Sequence, residues 1–305
     1  MIYRAYNILI NTKSDNLLFE QYPNDVSLEN NSIQYTQINL IYSEKLSEEI
    51  PRKEKYISTA CILAKDGIVI HWGNRIVYKI DGNNVFFFKS PFAYDVEISL
   101  SLNYILSVMS LQNNMIPLHA CCVQSPSGLT CAFSGKSCSG KSTLTAQLLS
   151  KGWKFVSEEL IICNIGDDKK INTYTGPQFI RLGEKSLHLV FDKFDITSIK
   201  VGELDKKELL WSESWHVATN PIHLDKIIFI EDGFATNTLE QMSFSESIHK
   251  IFNNIYSTMF CNSMPKNDTL NTISEICKKA DCQRYLYRDY PDVDFLENKI
   301  GKIGF

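Results

Sequence analysis

The sequence predicts an α/β protein in which a small β-rich domain, residues 1–94, precedes a larger α/β domain, residues 95–305. Short apolar segments with polar turns between them dominate the first part of the chain, as in a β-rich region. An apolar strand at 129–133 runs through a glycine-containing loop into a helix, a connection typical of α/β folds. Near the C-terminus, residues 248–259 and 270–280 carry apolar residues at helical spacing.

The composition excludes several classes of protein. The chain has 305 residues, 44% of them hydrophobic and 22% charged, which is typical of a globular protein. A formal net charge of −4 gives no overall attraction to nucleic acid or anionic lipid, so we expect neither partner. No apolar run approaches the ~20 residues of a membrane span, and no signal-peptide pattern is found. Nine scattered cysteines without a C-x-x-C pair predict reduced thiols and a cytoplasmic protein.

The β-rich region is predicted to contain five strands. Their ranges are 2–10, 33–42, 68–72, 75–80 and 85–89. A polar loop at 24–31 separates the first two strands, and 52–55 is a charged break. The last three form a meander, with 81–84 as a hairpin turn. The aromatic run at 86–88 is predicted to be core rather than a binding platform.

A helix at 95–111 is predicted to link the two domains. One face of it carries Ile98, Leu102, Ile105, Leu106 and Met109. A buried strand at 116–124 and a turn at 125–128 then lead into the strand at 129–133.

The remaining elements alternate between strands and helices. Strands are predicted at 154–157, 160–164, 170–173, 179–182, 224–230 and 285–287. Residues 183–222, which include Trp211 and Trp215, are predicted to be irregular. A capping box at 243–246 precedes the helix that extends to Met259, and a second helix covers 270–280.

Residues 135–142 fit the pattern G-x-x-x-x-G-K-[ST] and are called here the phosphate loop. In such a loop, backbone N–H groups and the following helix N-terminus face a phosphate. Lys141 would contact the β- and γ-phosphates, and Ser142 would bind Mg²⁺. The helix ends at Gly152, a suitable C-terminal cap. The alternative is an ordinary Gly/Ser turn between a strand and a helix.

The loop predicts ATP and Mg²⁺ as cofactors. The predicted nucleotide-binding residues are Gly135, Lys136, Ser137, Cys138, Ser139, Gly140, Lys141, Ser142 and Thr143.

Two further stretches carry residues suited to phosphoryl transfer. The strand at 154–157 ends in Glu158 and Glu159, here called the glutamate pair. One carboxylate could hold Mg²⁺ and the other could accept the proton of an attacking hydroxyl. Because adjacent residues of a strand point to opposite faces, the pair shares one site only if the backbone turns there. The alternative is a pair of solvated glutamates in a turn. His119, upstream of the loop, is by itself more typical of a core histidine.

The order of these motifs resembles the HPr serine kinase/phosphorylase family. Leu-His-Ala at 118–120 precedes the phosphate loop, and Ser-Glu-Glu-Leu at 157–160 follows its helix. More closely, the sequence resembles the short HPr-kinase-like proteins of ribosomal peptide biosynthesis clusters, which include lasso-peptide precursor kinases. Further matches are residues 3–6, 177–181 and 221–224, together with Glu231. The resemblance implies an HPr-kinase-type phosphate-loop domain, akin to phosphoenolpyruvate carboxykinase, and phosphorylation of a serine hydroxyl.

The resemblance also implies a role for each site residue. Lys141 binds phosphate, Glu158 falls at the catalytic aspartate of the family, and Glu159 falls at the adjacent, metal-side aspartate, with Ser142 as the metal-side hydroxyl. His119 falls at the histidine that orients or polarises the acidic site. The longer glutamates replace the family's Asp-Asp, and in-line transfer is sensitive to misplacement on the order of 1 Å. Cys138 stands where a glycine is common in mid-loop.

The sequence therefore predicts an ATP- and Mg²⁺-dependent kinase acting on a serine of a peptide or protein, in ribosomal peptide natural-product maturation. One alternative is a nucleotide-binding module with weak or no transferase activity, since the aspartates are missing. A kinase of a small-molecule hydroxyl is another. Homo-oligomerisation is left open, and no phosphorylase reaction is predicted.

Overall fold

The chain folds as an α/β protein, as its sequence predicts. The computed structural model describes residues 2–13, 36–49, 60–64, 67–93, 95–191, 196–201, 206–211, 220–256 and 266–300. None of the helices in these ranges combines the length and apolar character needed to cross a bilayer. Four sheets and six α-helices make up the described fold.

Seven strands of the N-terminal region form one mixed sheet. In chain order they are β1 Ile2–Ala5, β2 Ile8–Thr12, β3 Thr36–Tyr42, β4 Ala60–Ala64, β5 Gly67–Trp72, β6 Ile76–Asp81 and β7 Asn84–Lys89. Their spatial order is β1-β2-β3-β7-β6-β5-β4, with β3 parallel to both neighbours. The predicted meander is confirmed as β5 to β7, and Phe87 and Phe88 are buried, as expected for core residues.

The single strand predicted at 2–10 is wrong, because the chain turns at Tyr6 and Asn7 to form a hairpin. Tyr6 has a φ of +59°, and its backbone N–H donates to the carbonyl of Thr175 at 3.1 Å. The predicted loop at 24–31 and charged break at 52–55 lie outside the described residues.

Helix α1, Asp95–Gln112, confirms the predicted helix but is buried on more than one face. Ser101, Asn103, Ser107 and Ser110 are buried along with its apolar residues. Such burial all round is typical of a helix surrounded by protein. One hydrophobic cluster includes residues of the N-terminal sheet, of α1 and of the C-terminal region. The domain boundary at 94/95 remains a prediction.

A six-stranded mixed sheet carries the phosphate loop. In chain order its strands are β9 Ala120–Gln124, β10 Thr130–Gly135, β11 Lys154–Ser157, β18 Lys226–Glu231, β19 Thr238–Gln241 and β20 Asp281–Leu286. Their spatial order is β11-β9-β10-β18-β20-β19, and β10, β18 and β20 run parallel. Helix α2, Lys141–Ser150, follows β10 and buries Leu144 and Leu148 against this sheet.

A four-stranded sheet has the order β17-β13-β12-β8. Its strands are β8 Ile116–Leu118, β12 Ile161–Ile165, β13 Ile171–Thr173 and β17 Ile222–His223. The single strand predicted at 116–124 is therefore wrong: its two halves, β8 and β9, belong to different sheets. The break falls at His119, whose backbone N–H donates to the carbonyl of Asn254 at 2.8 Å.

The prediction of an irregular 183–222 segment is also wrong. Strand β14, Phe179–Gly183, pairs with β16, Lys206–Trp211, which pairs in turn with β15, Ile196–Val201. A 3-10 turn at Glu184–Ser186 and the short helix α3, His188–Phe191, lie between β14 and β15. Trp215 lies outside the described residues. Strand β16 begins with Lys-Lys-Glu, so it lacks the apolar pattern by which a strand is recognised from sequence.

The C-terminal helices only partly match their predicted bounds. Helix α4 is Phe244–Asn253, and the predicted capping box between Ser243 and Glu246 is confirmed. The helix does not reach Met259, because the backbone of Tyr256 instead donates to a β8 carbonyl at 2.8 Å. Helix α5, Lys266–Lys279, confirms the second predicted helix.

Helix α6, Val293–Ile300, and strand β19 were not predicted from the sequence.

Candidate functional site

The two glycines of the phosphate loop lie where other residues would not fit. Gly135 and Gly140 have φ values of +155° and +81°. A Cβ atom on Gly135 would lie 2.6 Å from the Ile230 carbonyl oxygen, and one on Gly140 would lie 2.9 Å from Cγ of Pro291. Positive φ and close backbone approach both require glycine. The phosphate loop therefore packs closely between Ile230 of strand β18 and Pro291 near the C-terminus.

Lys141 lies at the first position of α2, with its side chain buried inside the curve of the loop. Its Nζ donates to the carbonyl oxygens of Gly135 at 2.9 Å and Lys136 at 2.8 Å. The Ser139 carbonyl accepts a 3.0 Å hydrogen bond from the hydroxyl of Tyr287. Burial raises the pKa of Tyr287 to about 12, so its phenol is a neutral donor at physiological pH. The ammonium group and the fixed loop form a site suited to an anion.

A pocket of about 950 Å³ collects most of the predicted site residues. Its lining includes Ser137, Cys138, Gly140, Lys141, Ser142, Thr143, His119, Glu158 and Glu159. The other predicted loop residues, Gly135, Lys136 and Ser139, are not part of this lining. The fold thus brings His119, the loop and the glutamate pair to one cavity, while the chemical role of each residue remains a prediction.

The backbone turns at the glutamate pair, which is the condition for the two carboxylates to share a site. Glu159 has a φ of +66°, and the N–H of Leu160 donates to the carbonyl of Glu158 at 2.8 Å. Glu158 is 3% exposed, so the alternative of two solvated glutamates is wrong for this residue. Both side chains line the pocket as a result of this turn.

Arg181 on β14 contacts three carboxylates, one through its backbone N–H and two through its guanidinium. This arrangement was not predicted from the sequence. Its backbone N–H donates to Oε2 of Glu158 at 2.7 Å. Its guanidinium forms ion pairs with Glu159 and with Glu208, the latter through an Nη2–Oε2 distance of 2.7 Å. Glu208 lies directly opposite Arg181 in the β14–β16 register, and that strand pair was not recognised from the sequence.

The second oxygen of Glu159 is held by Tyr256. The Tyr256 hydroxyl donates to Oε1 of Glu159 at 3.2 Å. Burial raises the pKa of Tyr256, so its hydroxyl remains protonated and can donate this bond. The His119 ring packs edge-on against the Tyr256 ring, at 5.8 Å between centroids. His119 is half-buried at the pocket wall. Its packing against Tyr256 connects it indirectly to Glu159 of the glutamate pair.

The polar groups of the pocket fit Mg²⁺ only together with a phosphate ligand. Among the described residues, no group of three or more His, Cys, Asp or Glu side chains could hold a metal ion alone. Mg²⁺ commonly takes one or two carboxylates, with phosphate oxygens and waters completing its shell. Ser142 and Glu159 offer such a partial set at the pocket wall. Because both oxygens of Glu159 already have partners, Glu159 would have to exchange one of them to bind a metal directly.

Cys138 provides a chemical probe of this pocket. Cys138 is exposed and lines the pocket. Cys121 also lines the pocket but is buried, as are Cys122, Cys131 and Cys163. We expect iodoacetamide to label Cys138 before those four cysteines. Mg-ATP at ten times its Kd should slow the labelling roughly tenfold, because only the free fraction reacts. Peptide mapping by mass spectrometry measures both rates, and equal rates with and without nucleotide would contradict nucleotide binding over Cys138.

Comparisons with known proteins give a distant structural resemblance. No family model matches the sequence, and no curated protein matches it. Among solved structures, the chain is similar to the HPr(Ser) kinase/phosphatase from Coxiella burnetii, with a TM-score of 0.33 and 9% sequence identity. The match covers 61% of this chain and 88% of that one.

Proposed function

We propose that this protein is an ATP- and Mg²⁺-dependent kinase that transfers the γ-phosphoryl group to a serine hydroxyl of a peptide or protein. The observation that carries the proposal is the shared pocket: Lys141, within a phosphate loop, and the glutamate pair line the same cavity. Bound Mg-ATP would supply the phosphoryl group. At about 950 Å³ the pocket is at the upper end of the ~300–1,000 Å³ usual for ligand sites, so an acceptor side chain fits beside a nucleotide.

In this proposal Glu158 accepts the proton of the acceptor hydroxyl. The 2.7 Å bond from the Arg181 backbone to Oε2 fixes the orientation of this carboxylate, as a general base requires. Lys141 places a positive charge within the loop, where negative charge on a transferring group would be stabilised. Ser142 and Glu159 would hold the metal. Tyr256 orients Glu159 through its hydrogen bond, and His119 acts indirectly by packing against Tyr256.

The acceptor would lie against the part of the pocket lining that comes from outside the phosphate loop. There the N-terminal sheet contributes Trp72, and helix α1 contributes Glu97 and Leu100. Glu97 is buried and paired with Arg75. The character of this wall is therefore set by Trp72 and Leu100, and such an apolar surface suits a peptide segment better than a small polar metabolite. The setting in ribosomal peptide maturation follows from the sequence resemblance and remains a prediction.

A nucleotide-binding module without transferase activity is the second candidate. It is favoured by one observation, the engagement of both Glu159 oxygens by Arg181 and Tyr256. If those contacts persist with nucleotide bound, Glu159 does not coordinate the metal directly. The replacement of the aspartates of the HPr-kinase family by glutamates also favours this candidate.

Phosphoryl transfer to a serine peptide library distinguishes the two candidates. The full chain is incubated with Mg²⁺, radiolabelled ATP and the library, alongside a matched library in which alanine replaces serine. We expect label only in serine-containing peptides, with phosphoserine identified by mass spectrometry, and no label with the Lys141→Ala variant. Tight ATP binding without transfer to any peptide would support the second candidate. Transfer to a panel of small hydroxyl compounds alone would identify a metabolite kinase.

A further inference from the structure

One aromatic ring at the pocket is poorly covered by the protein. Tyr290 lines the pocket together with Cys138 and Gly140 of the phosphate loop, and it is 73% exposed. The other aromatic residue of the lining, Trp72, is half-buried and packs against Tyr104 at 5.1 Å between ring centroids. Only Tyr290, of the two, offers an open aromatic surface beside the loop.

The segment that carries Tyr290 is anchored to the phosphate loop on both sides. Three residues before it, the Tyr287 hydroxyl donates to the Ser139 carbonyl at 3.0 Å. The residue after it, Pro291, lies against Gly140, so closely that a Cβ atom there would be 2.9 Å from its Cγ. Asp292 then donates its N–H to the hydroxyl of Tyr285 at 2.9 Å. The tyrosine is therefore presented by a short, fixed segment, which limits the conformational entropy lost when a ligand stacks on it.

We propose that Tyr290 is the stacking platform for the base of a nucleoside triphosphate held in the phosphate loop, an inference that rests on the proposed function. A triphosphate in the loop leaves its nucleoside outside the backbone cradle, where the exposed ring lies. Every base has a π-face, so a stacking contact tolerates different bases. We therefore expect ATP and GTP to bind with similar affinity.

Inorganic triphosphate and ATP together test this proposal, since they differ only by the nucleoside. Binding of each to the full chain is measured by calorimetry in Mg²⁺. Tyr290→Ala should weaken ATP binding roughly tenfold or more, as removal of a base-stacking ring typically does. Its affinity for inorganic triphosphate should stay within about twofold of wild type, because the loop is unchanged. Tyr290→Phe keeps the ring and should bind ATP like wild type.

Phe92→Ala is the matched control, because Phe92 is 81% exposed and is not part of the pocket lining. It should change neither affinity. Unchanged ATP binding by Tyr290→Ala would overturn the proposal, and so would an equal loss of ATP and triphosphate affinity, which would show that Tyr290 acts on the loop itself. If wild-type protein bound neither ligand, the nucleotide-binding function would be overturned first. If the wild-type protein binds both ATP and triphosphate and Tyr290→Ala has no effect, the stacking role of Tyr290 is overturned while the nucleotide-binding function is retained.

Discussion

Replacing Lys141 with alanine should abolish detectable phosphoryl transfer and weaken Mg-ATP binding by roughly ten- to a hundredfold. Its ammonium group is the buried positive charge of the loop, held by the carbonyls of Gly135 and Lys136. Hydrogen bonds to charged groups contribute roughly 1.5–3 kcal/mol. The loss should be larger in the transition state, where charge develops in a site of fixed dipoles.

The measurement is the ATP dissociation constant with the single-turnover transfer rate. Lys154→Ala, at an exposed lysine of β11, is the matched charge control and should leave both quantities unchanged. Thermal unfolding of each variant reports whether removal of the buried lysine has damaged the fold. A Lys141→Ala protein that is folded and still turns over ATP like the parent would refute the assignment of the phosphate loop.

Glu158→Gln should reduce transfer by about 10²–10⁴-fold with little change in ATP affinity. Glutamine retains the length of the side chain and an oxygen that can accept the 2.7 Å bond from the Arg181 backbone. It cannot accept a proton, so the chemical step alone should slow. Glu158→Asp should also slow transfer, because the shorter side chain would lose its contact with Arg181.

Single-turnover rates for both variants, at saturating Mg-ATP and peptide, measure this effect. Glu184→Gln is the matched control: Glu184 has a 76% exposed side chain paired with Lys207 at 3.0 Å, outside the pocket. Transfer by Glu158→Gln at the parental rate would remove Glu158 as the base and leave Glu159 or a water molecule in that role. Faster transfer by Glu158→Asp would instead identify a kinase weakened by its longer side chains.

Sequence patterns predicted those parts of the site whose backbone conformation is determined by residues adjacent in the chain. The phosphate loop could be recognised because its two glycines are required by backbone geometry at fixed spacing. The turn at Glu159 could not, because a positive φ at a non-glycine residue is uncommon and leaves no sequence signature. The same applies to Cys138, which has a φ of +64° in mid-loop.

Long-range contacts account for what sequence analysis missed. Arg181 and Glu208 meet because β14 and β16 pair in one register, and the charged β16 gave no strand signal. His119 was placed inside a single strand, whereas it lies where the chain leaves one sheet for another. Such switches depend on which strands pair across the fold, and those pairings are not encoded in a local window.

The placement of Glu158, Glu159 and Glu208 around one arginine residue gives the pocket an electrical polarity. Lys141 and the amino end of α2 form its positive pole. Three carboxylates form its negative pole: Glu159 and Glu208 share the single charge of the Arg181 guanidinium, and Glu158 accepts from the Arg181 backbone. Since opposite charges attract and like charges repel, polyphosphate should settle at the first pole and be repelled from the second. A cationic residue beside the acceptor hydroxyl would be drawn to the second. In the proposed kinase, this field would orient donor and acceptor as they enter the pocket.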